Sequence, residues 1–138
     1  GSIAVKQPDI FIGWLERFGS EKIILGADAK EGMIAVNGWL EITELPVVDY
    51  ISAFHNKGIV KVISTDINCD GMLSGPSFGL YREILERLPD IELIASGGIA
   101  SMDDIIKLAE MNVPGVITGK AIYEGKISLE DIKKYNLS

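Results

Sequence analysis

The 138 residues contain a single cysteine, Cys69, and a single histidine, His55. A lone thiol closes no intramolecular disulfide, and no second cysteine or nearby histidine gives the spacing of a metal site. No metal is expected, and a reducing cytoplasm is the natural setting. Basic residues are also scarce, with 13 Lys and Arg against 20 Asp and Glu and a formal charge of −7. A sequence-independent grip on nucleic acid or an anionic membrane needs a basic surface that displaces counterions, so neither partner is expected. Any anion this chain holds must be held locally. No run is as long as a membrane-spanning helix, the opening residues lack a signal-peptide pattern, and no low-complexity stretch or linker interrupts the chain.

What is present is a regular alternation. A hydrophobic content of 47% is enough for one domain with a core. Amphipathic periodicity predicts helices over residues 9–18, 47–56, 78–88, 102–111 and 129–135, and short β-rich runs predict strands over 22–26, 60–64, 92–95 and 116–118. The strands are apolar with little alternation, which suits parallel strands covered on both faces, and parallel connections require the intervening helices. Pro8 and Pro46 fit first-turn positions, and Ser101 with Asp104 three residues on forms a candidate helix cap. The apolar run 33–36 reads as part of a long loop after the first strand.

Two glycine-bearing turns stand out. Ser96-Gly97-Gly98 follows the apolar run 91–95, Gly119-Lys120-Ala121 follows 116–118, and each opens a helical segment. A glycine at a strand end lets backbone N–H groups approach a ligand, and the helix start behind it adds partial positive charge, so the pair can hold one phosphate. Glycines also occupy such turns merely to supply positive φ. Two successive turns at the ends of neighbouring parallel strands favour the phosphate, in the manner of many (βα)8 barrels. The opening Gly1-Ser2-Ile3-Ala4-Val5-Lys6 has the same plan as Gly119-Lys120-Ala121-Ile122, a glycine and one residue before a short apolar segment. It reads as the same turn half a barrel away, or as a residue of cloning.

Side chains at the C-terminal ends of barrel strands converge on one mouth, which makes Asp28, Asp66 and Asp70 candidates for proton transfer. Each also has a plainer reading as a turn former, Asp70-Gly71 especially. Thr65 is a candidate for orienting a carboxylate or a substrate hydroxyl, or is simply a β-branched strand residue. His55 lies on a polar helix stretch and is expected to be solvated. A thiolate at Cys69 is disfavoured by its acidic neighbour Asp70. Glu83, Glu86 and Arg87 suit an exposed helix face with local charge pairs.

The string Thr65-Asp66-Ile67-Asn68-Cys69-Asp70-Gly71-Met72-Leu73-Ser74-Gly75-Pro76, with Ala95-Ser96-Gly97-Gly98-Ile99 and Gly119-Lys120-Ala121-Ile122-Tyr123-Glu124-Gly125, resembles the ProFAR isomerase family of histidine biosynthesis. The likeness covers essentially the whole chain and matches the later part of that enzyme, from the end of its fourth strand. It implies an α/β fold that is the C-terminal half of a (βα)8 TIM barrel, four parallel strands with helices, incomplete by itself, residues 1–138 forming half of a single domain. The activity implied is an aldose-ketose isomerisation by Amadori rearrangement, without cofactor or metal, of a small substrate carrying two phosphates. By resemblance Asp28 matches the general acid, Thr65 and Asp70 match substrate-orienting positions, and Trp39 matches a loop aromatic that covers the substrate. Ser96 opens the phosphate turn; Gly97, Gly98, Gly119 and Lys120 match one phosphate grip, while Gly1 and Ser2 match part of the opposite one.

The family's general base is an aspartate on the first strand, a residue outside this chain. The 138 residues by themselves are therefore expected to be inactive and to self-associate through open half-barrel edges. Three other readings stay open at this point. They are the cyclase subunit of imidazole glycerol phosphate synthase, which shares the barrel and both aspartates; a non-catalytic phosphate-binding half-barrel; and a self-contained small α/β binding domain.

Overall fold

The computed structural model describes residues 1–137. Its helices are α1 (Ser2–Lys6), α2 (Pro8–Phe18), α3 (Val47–His55), α4 (Phe78–Arg87), α5 (Met102–Glu110), α6 (Lys120–Tyr123) and α7 (Leu129–Leu137). The strands are β1 (Ile24–Lys30), β2 (Met33–Val36), β3 (Glu41–Pro46), β4 (Lys61–Asp66), β5 (Glu92–Ser96) and β6 (Gly115–Ile117), in the sheet order β3-β2-β1-β4-β5-β6. Strands β1, β4, β5 and β6 run parallel, joined through helices. Four adjacent parallel strands backed by helices make the open arc of a (βα)8 barrel.

All four strands and five helices predicted from periodicity are present, with ends shifted by a few residues. The run 33–36 differs from expectation, because it forms strand β2 and not loop. It pairs antiparallel with the end of β1 at Ala29 and Lys30 and, on its other side, with β3. The tight return from β1 comes at Glu31-Gly32, with φ of 51° and 80°, which folds the chain directly back on itself. Pro46 ends β3 and caps α3, whereas Pro8 takes the first helical position of α2 as expected.

Strand alternation sets the two faces of the sheet. Leu25, Ala27 and Ala29 of β1, Val62 of β4 and Leu93 and Ala95 of β5 are buried in one cluster with Ile51 and Phe54 of α3, Tyr81 and Ile84 of α4 and Leu108 of α5. Among the described residues, no helix covers the other face. Ile24 and Ile117 are 43% and 45% exposed, and Ile63 and Ile94 are only half-buried. The expectation of strands covered on both faces is thus corrected, since this chain supplies helices to one side only.

At α5 the candidate cap is present in both directions. Ser101 Oγ accepts the Asp104 amide at 3.4 Å, and Asp104 Oδ2 accepts the Ser101 and Ala100 amides at 3.3 and 2.9 Å. Asp104 thus satisfies the amide of the N-cap Ser101 and, one residue before the cap, that of Ala100. Replacing Ser101 with Ala is expected to lower stability by about 1 kcal/mol in urea denaturation.

Candidate functional site

The parallel register dictates which side chains meet. Asp28 of β1 pairs with Thr65 of β4, Thr65 with Ser96 of β5, and Ser96 with Ile117 of β6, so these residues form one row across the uncovered face near the strands' C-terminal ends. Thr65 is buried. Two buried hydroxyls on the helix-covered side fix the row from behind. Ser64 Oγ donates to the Ala27 carbonyl at 3.0 Å, tying β4 to β1. The Tyr81 hydroxyl, reaching from α4, donates to the Ser96 carbonyl at 2.6 Å and accepts the Ser96 amide at 3.2 Å. Burial pushes the Tyr81 phenol up, which keeps it a neutral donor. Sequence reasoning missed Ser64 and Tyr81. Tyr81 lies on the apolar face of an amphipathic helix and reads there as core, with nothing local to pair it with a strand end.

Beyond β5 and β6 the two glycine turns come together. They line a cavity of about 270 Å³ with Asp70, Gly71 and Leu73 of the β4–α4 loop, and with Thr118 and Lys120. The glycines differ in what demands them. Gly97 and Gly98 have φ of 93° and 78°, and a Cβ on Gly98 would strike the Gly75 carbonyl and lie 2.9 Å from Cys69 Cβ. The β4–α4 loop packs on this turn, and the Gly75 amide donates to the Gly98 carbonyl at 3.0 Å. Gly119 has a negative φ of −135°, and a Cβ there would meet nothing within 4 Å. Packing and the sign of φ therefore ask for glycine at 98 but not at 119.

Lys120 Nζ donates to the Gly71 carbonyl at 2.8 Å and lies 3.8 Å from Glu124 Oε1. An ammonium has three protons, so it holds the loop and retains donors for an anion. Asp70 is exposed at the rim of the same cavity.

The remaining candidates lie at the other end of the arc. Gly1 packs on Gly26 of β1, where a Cβ would come within 2.9 Å of the Gly1 nitrogen. Ser2 Oγ accepts the Asn37 amide at 2.8 Å. Trp39, at the tip of the β2–β3 hairpin, donates its indole N–H to Asp28 Oδ2 at 2.9 Å. Tyr50 of α3, buried beneath, donates to the Gly26 carbonyl at 3.3 Å; burial, and then the Asp28 carboxylate, push its phenol up. The structure therefore gathers Ser96, Gly97, Gly98, Gly119, Lys120 and Asp70 in one cavity. It sets Gly1, Ser2 and Trp39 near Asp28 at the opposite end, with Thr65 between.

Three smaller expectations change. His55 is half-buried with Nδ1 2.7 Å from the Ile59 carbonyl, because α3 ends there and the chain turns back under the ring. Arg87 pairs across helices with Asp49 at 2.7 Å instead of locally. The Cys69 thiol is pushed up by burial first and by Asp66 second, so its neighbour Asp70 is not the cause. Among the described residues, no cluster of His, Cys, Asp and Glu has metal-binding geometry, and no helix is long and apolar enough to cross a membrane.

Comparison with known proteins follows the same lines. A family model described as "Histidine biosynthesis protein" matches residues 1–128. A protein of Bacteroides thetaiotaomicron named 1-(5-phosphoribosyl)-5-((5-phosphoribosylamino)methylideneamino) imidazole-4-carboxamide isomerase is 58% identical over 133 residues, 96% of this chain and 56% of the relative. Proteins of the same name from Parabacteroides distasonis and Flavobacterium johnsoniae are each 56% identical over 135 residues, 98% of this chain and 56% of each relative. The chain spans about half the length of the curated relatives it matches.

The two glycine turns predict opposite stability outcomes. Gly98→Ala is expected to cost at least about 2 kcal/mol, since both φ and a backbone carbonyl oppose the Cβ. Gly119→Ala should stay within about 1 kcal/mol of the parent, as open space receives the methyl group. Tyr81→Phe, which removes the hydroxyl bonded to the half-buried Ser96 carbonyl and amide, should cost about 1–3 kcal/mol. Urea denaturation of the three variants checks all three values.

Proposed function

The chain belongs to the histidine biosynthesis protein family, and on that premise we propose that it is the C-terminal half of a single (βα)8 domain. That domain carries out the Amadori isomerisation of ProFAR, an aminoaldose with a phosphate at each end, to its aminoketose. The supporting observation is the strand-end row of Asp28, Thr65 and Ser96, flanked at one end by the Gly97–Gly98 and Gly119–Lys120 turns around a common cavity. The name shared by the relatives, an isomerase of a bis-phosphoribosyl imidazole carboxamide, supports the same substrate class.

In this reading Asp28 donates its proton to the ring oxygen of the aminoaldose as the C1–O bond breaks, leaving an open-chain iminium. A base removes the C2 proton, and the resulting enamine-enol rearranges to the aminoketose. By resemblance the base is an aspartate of the first barrel strand, which these 138 residues do not include. The Gly97, Gly98 and Gly119 amides and the Lys120 ammonium hold one phosphate, and Gly1 and Ser2 contribute to the opposite grip. Thr65 and Asp70 orient the sugar between them. A ligand anchored at both ends keeps its reacting carbons fixed beneath acid and base, which is where the rate advantage arises. No cofactor or metal enters the chemistry, and a soluble cytoplasmic enzyme is the proposed setting.

The uncovered sheet face with Ile24, Ile63, Ile94 and Ile117 is, in this proposal, the seam against the other half. Alone, the chain self-associates through it and is inactive.

The test is complementation. This chain, mixed with the amino-terminal half of the Bacteroides thetaiotaomicron relative, should isomerise ProFAR, while the chain by itself should not. Asp28→Asn in the mixture should lower turnover by about two to four orders of magnitude with assembly unchanged. An assembled mixture without activity, or one indifferent to Asp28→Asn, would overturn the assignment. Light scattering that shows a monomer for the chain alone would remove the self-association element.

A further inference from the structure

The β4–α4 loop carries Asp70 to the rim of the cavity, and its two ends are fixed by short backbone bonds. At its start the Cys69 and Asp70 amides donate to the Asp66 carbonyl at 3.0 and 3.1 Å, and the Asn68 amide donates to Asp66 Oδ1 at 3.0 Å. These bonds close a local turn. It packs on Gly97, where a Cβ would come within 3.4 Å of Asp70 Cα. At the far end the Gly75 amide donates to the Gly98 carbonyl at 3.0 Å.

The stretch between has less to rest on. Gly71 and Leu73 have φ of 72° and 51°, Met72 is 66% exposed, and a Cβ on Gly71 would meet nothing within 4 Å. A glycine without packing leaves the peptide after it free to turn. Lys120 reaches this stretch from the start of α6, donating from Nζ to the Gly71 carbonyl at 2.8 Å across 49 positions of sequence. A carbonyl that accepts from an ammonium is held more firmly than one bonded to a neutral donor. Glu124, one helical turn on and 3.8 Å from the same ammonium, aims it. Asp70 is thus secured on both flanks, its own amide on Asp66 and the next residue on Lys120.

We propose that Lys120 is a positioning residue for Asp70. Besides offering a donor to the phosphate, the ammonium fixes the Gly71 carbonyl, and with it the place on the rim from which the Asp70 carboxylate meets the sugar. Its three protons match three acceptors, namely Gly71, Glu124 and one phosphate oxygen. The phosphate anchor and the orienting carboxylate are therefore both referred to a single cation, which sets the distance between them. Lys120 is the only basic side chain lining the cavity, and its charge offsets the repulsion between a phosphate and a carboxylate that share one space. The proposal rests on the reading of Asp70 as a group that orients the sugar, and it names what holds that group in place.

Lys120→Met keeps the stem and removes the donors. In the chain alone, amide hydrogen exchange at Met72 and Gly75, followed by nuclear magnetic resonance, should quicken about three- to tenfold with the sheet amides unchanged. Lys120→Arg, which keeps a charged donor, should restore the slower rates. In the mixture with the amino-terminal half of the Bacteroides thetaiotaomicron relative, Lys120→Met should lower kcat about tenfold in addition to raising KM. In an Asp70→Ala background the same change should raise KM and leave kcat as it was, because the group it positions is gone. The proposal is overturned if loop exchange is unaltered in a folded Lys120→Met chain, if that change raises KM alone, or if its effect on kcat is as large without the Asp70 side chain as with it. A mixture of the unmodified chain that shows no isomerase activity counts against the proposed function instead, and the exchange rates then decide whether Lys120 holds the loop.

Discussion

The parallel ladder joining β1, β4 and β5 is the constraint on which the rest depends. Its register sets Asp28, Thr65 and Ser96 side by side, and the period of two along each strand sends all three to the face that lacks helices. A slip of one residue would turn that row into the core and bring Ala27, Ser64 and Ala95 to the mouth. Two features resist such a slip. The apolar residues alternating with the row are buried against α3, α4 and α5, and the Ser64 and Tyr81 hydroxyls bind strand carbonyls that only this register brings within reach. A buried hydroxyl left without its acceptor is costly, so these polar contacts select one pairing more than they add to stability.

Much of the fold was legible because helices and parallel strands announce themselves by period. The five amphipathic helices and four apolar strands occur in the predicted order, and Ser101 with Asp104 caps α5 as its spacing promised. The hairpin of β2 and β3 was not legible as such. The run 33–36 is apolar but only four residues long, and its partner strand Glu41–Pro46 is largely exposed and lacks the apolar pattern by which a strand is recognised. The left-handed residues Glu31-Gly32 turn the chain into β2 and Asn37-Gly38-Trp39 turn it into β3, features that a hydrophobicity pattern cannot reveal. The short helices α1 and α6 were foreseen only as turns of like design, and both do begin directly after a glycine.

At the site, residue types and loop positions carried further than contacts did. Gly97, Gly98, Gly119 and Lys120 share one cavity, as expected of neighbouring strand ends, yet their glycines serve different needs. Gly98 is demanded by the loop that carries Cys69 and Gly75, while the space beside Gly119 is empty. A sequence shows both as the same letter. The bond from Trp39 to Asp28 was equally invisible, since the two are brought together by the fold of the hairpin and not by spacing. Long-range polar contacts of this kind are set by tertiary geometry, which is why Tyr81 reads in the sequence as one more core aromatic.

The central claim is that an acidic chain holds an anion through main-chain amides at two adjoining strand ends. The most direct test is to follow its backbone amides by nuclear magnetic resonance while inorganic phosphate is added. The account predicts saturable shifts concentrated at Gly97, Gly98, Gly119 and Lys120, weakened by Lys120→Ala. Shifts absent from these four amides at saturating phosphate, or scattered over the lysines of the surface, would contradict it.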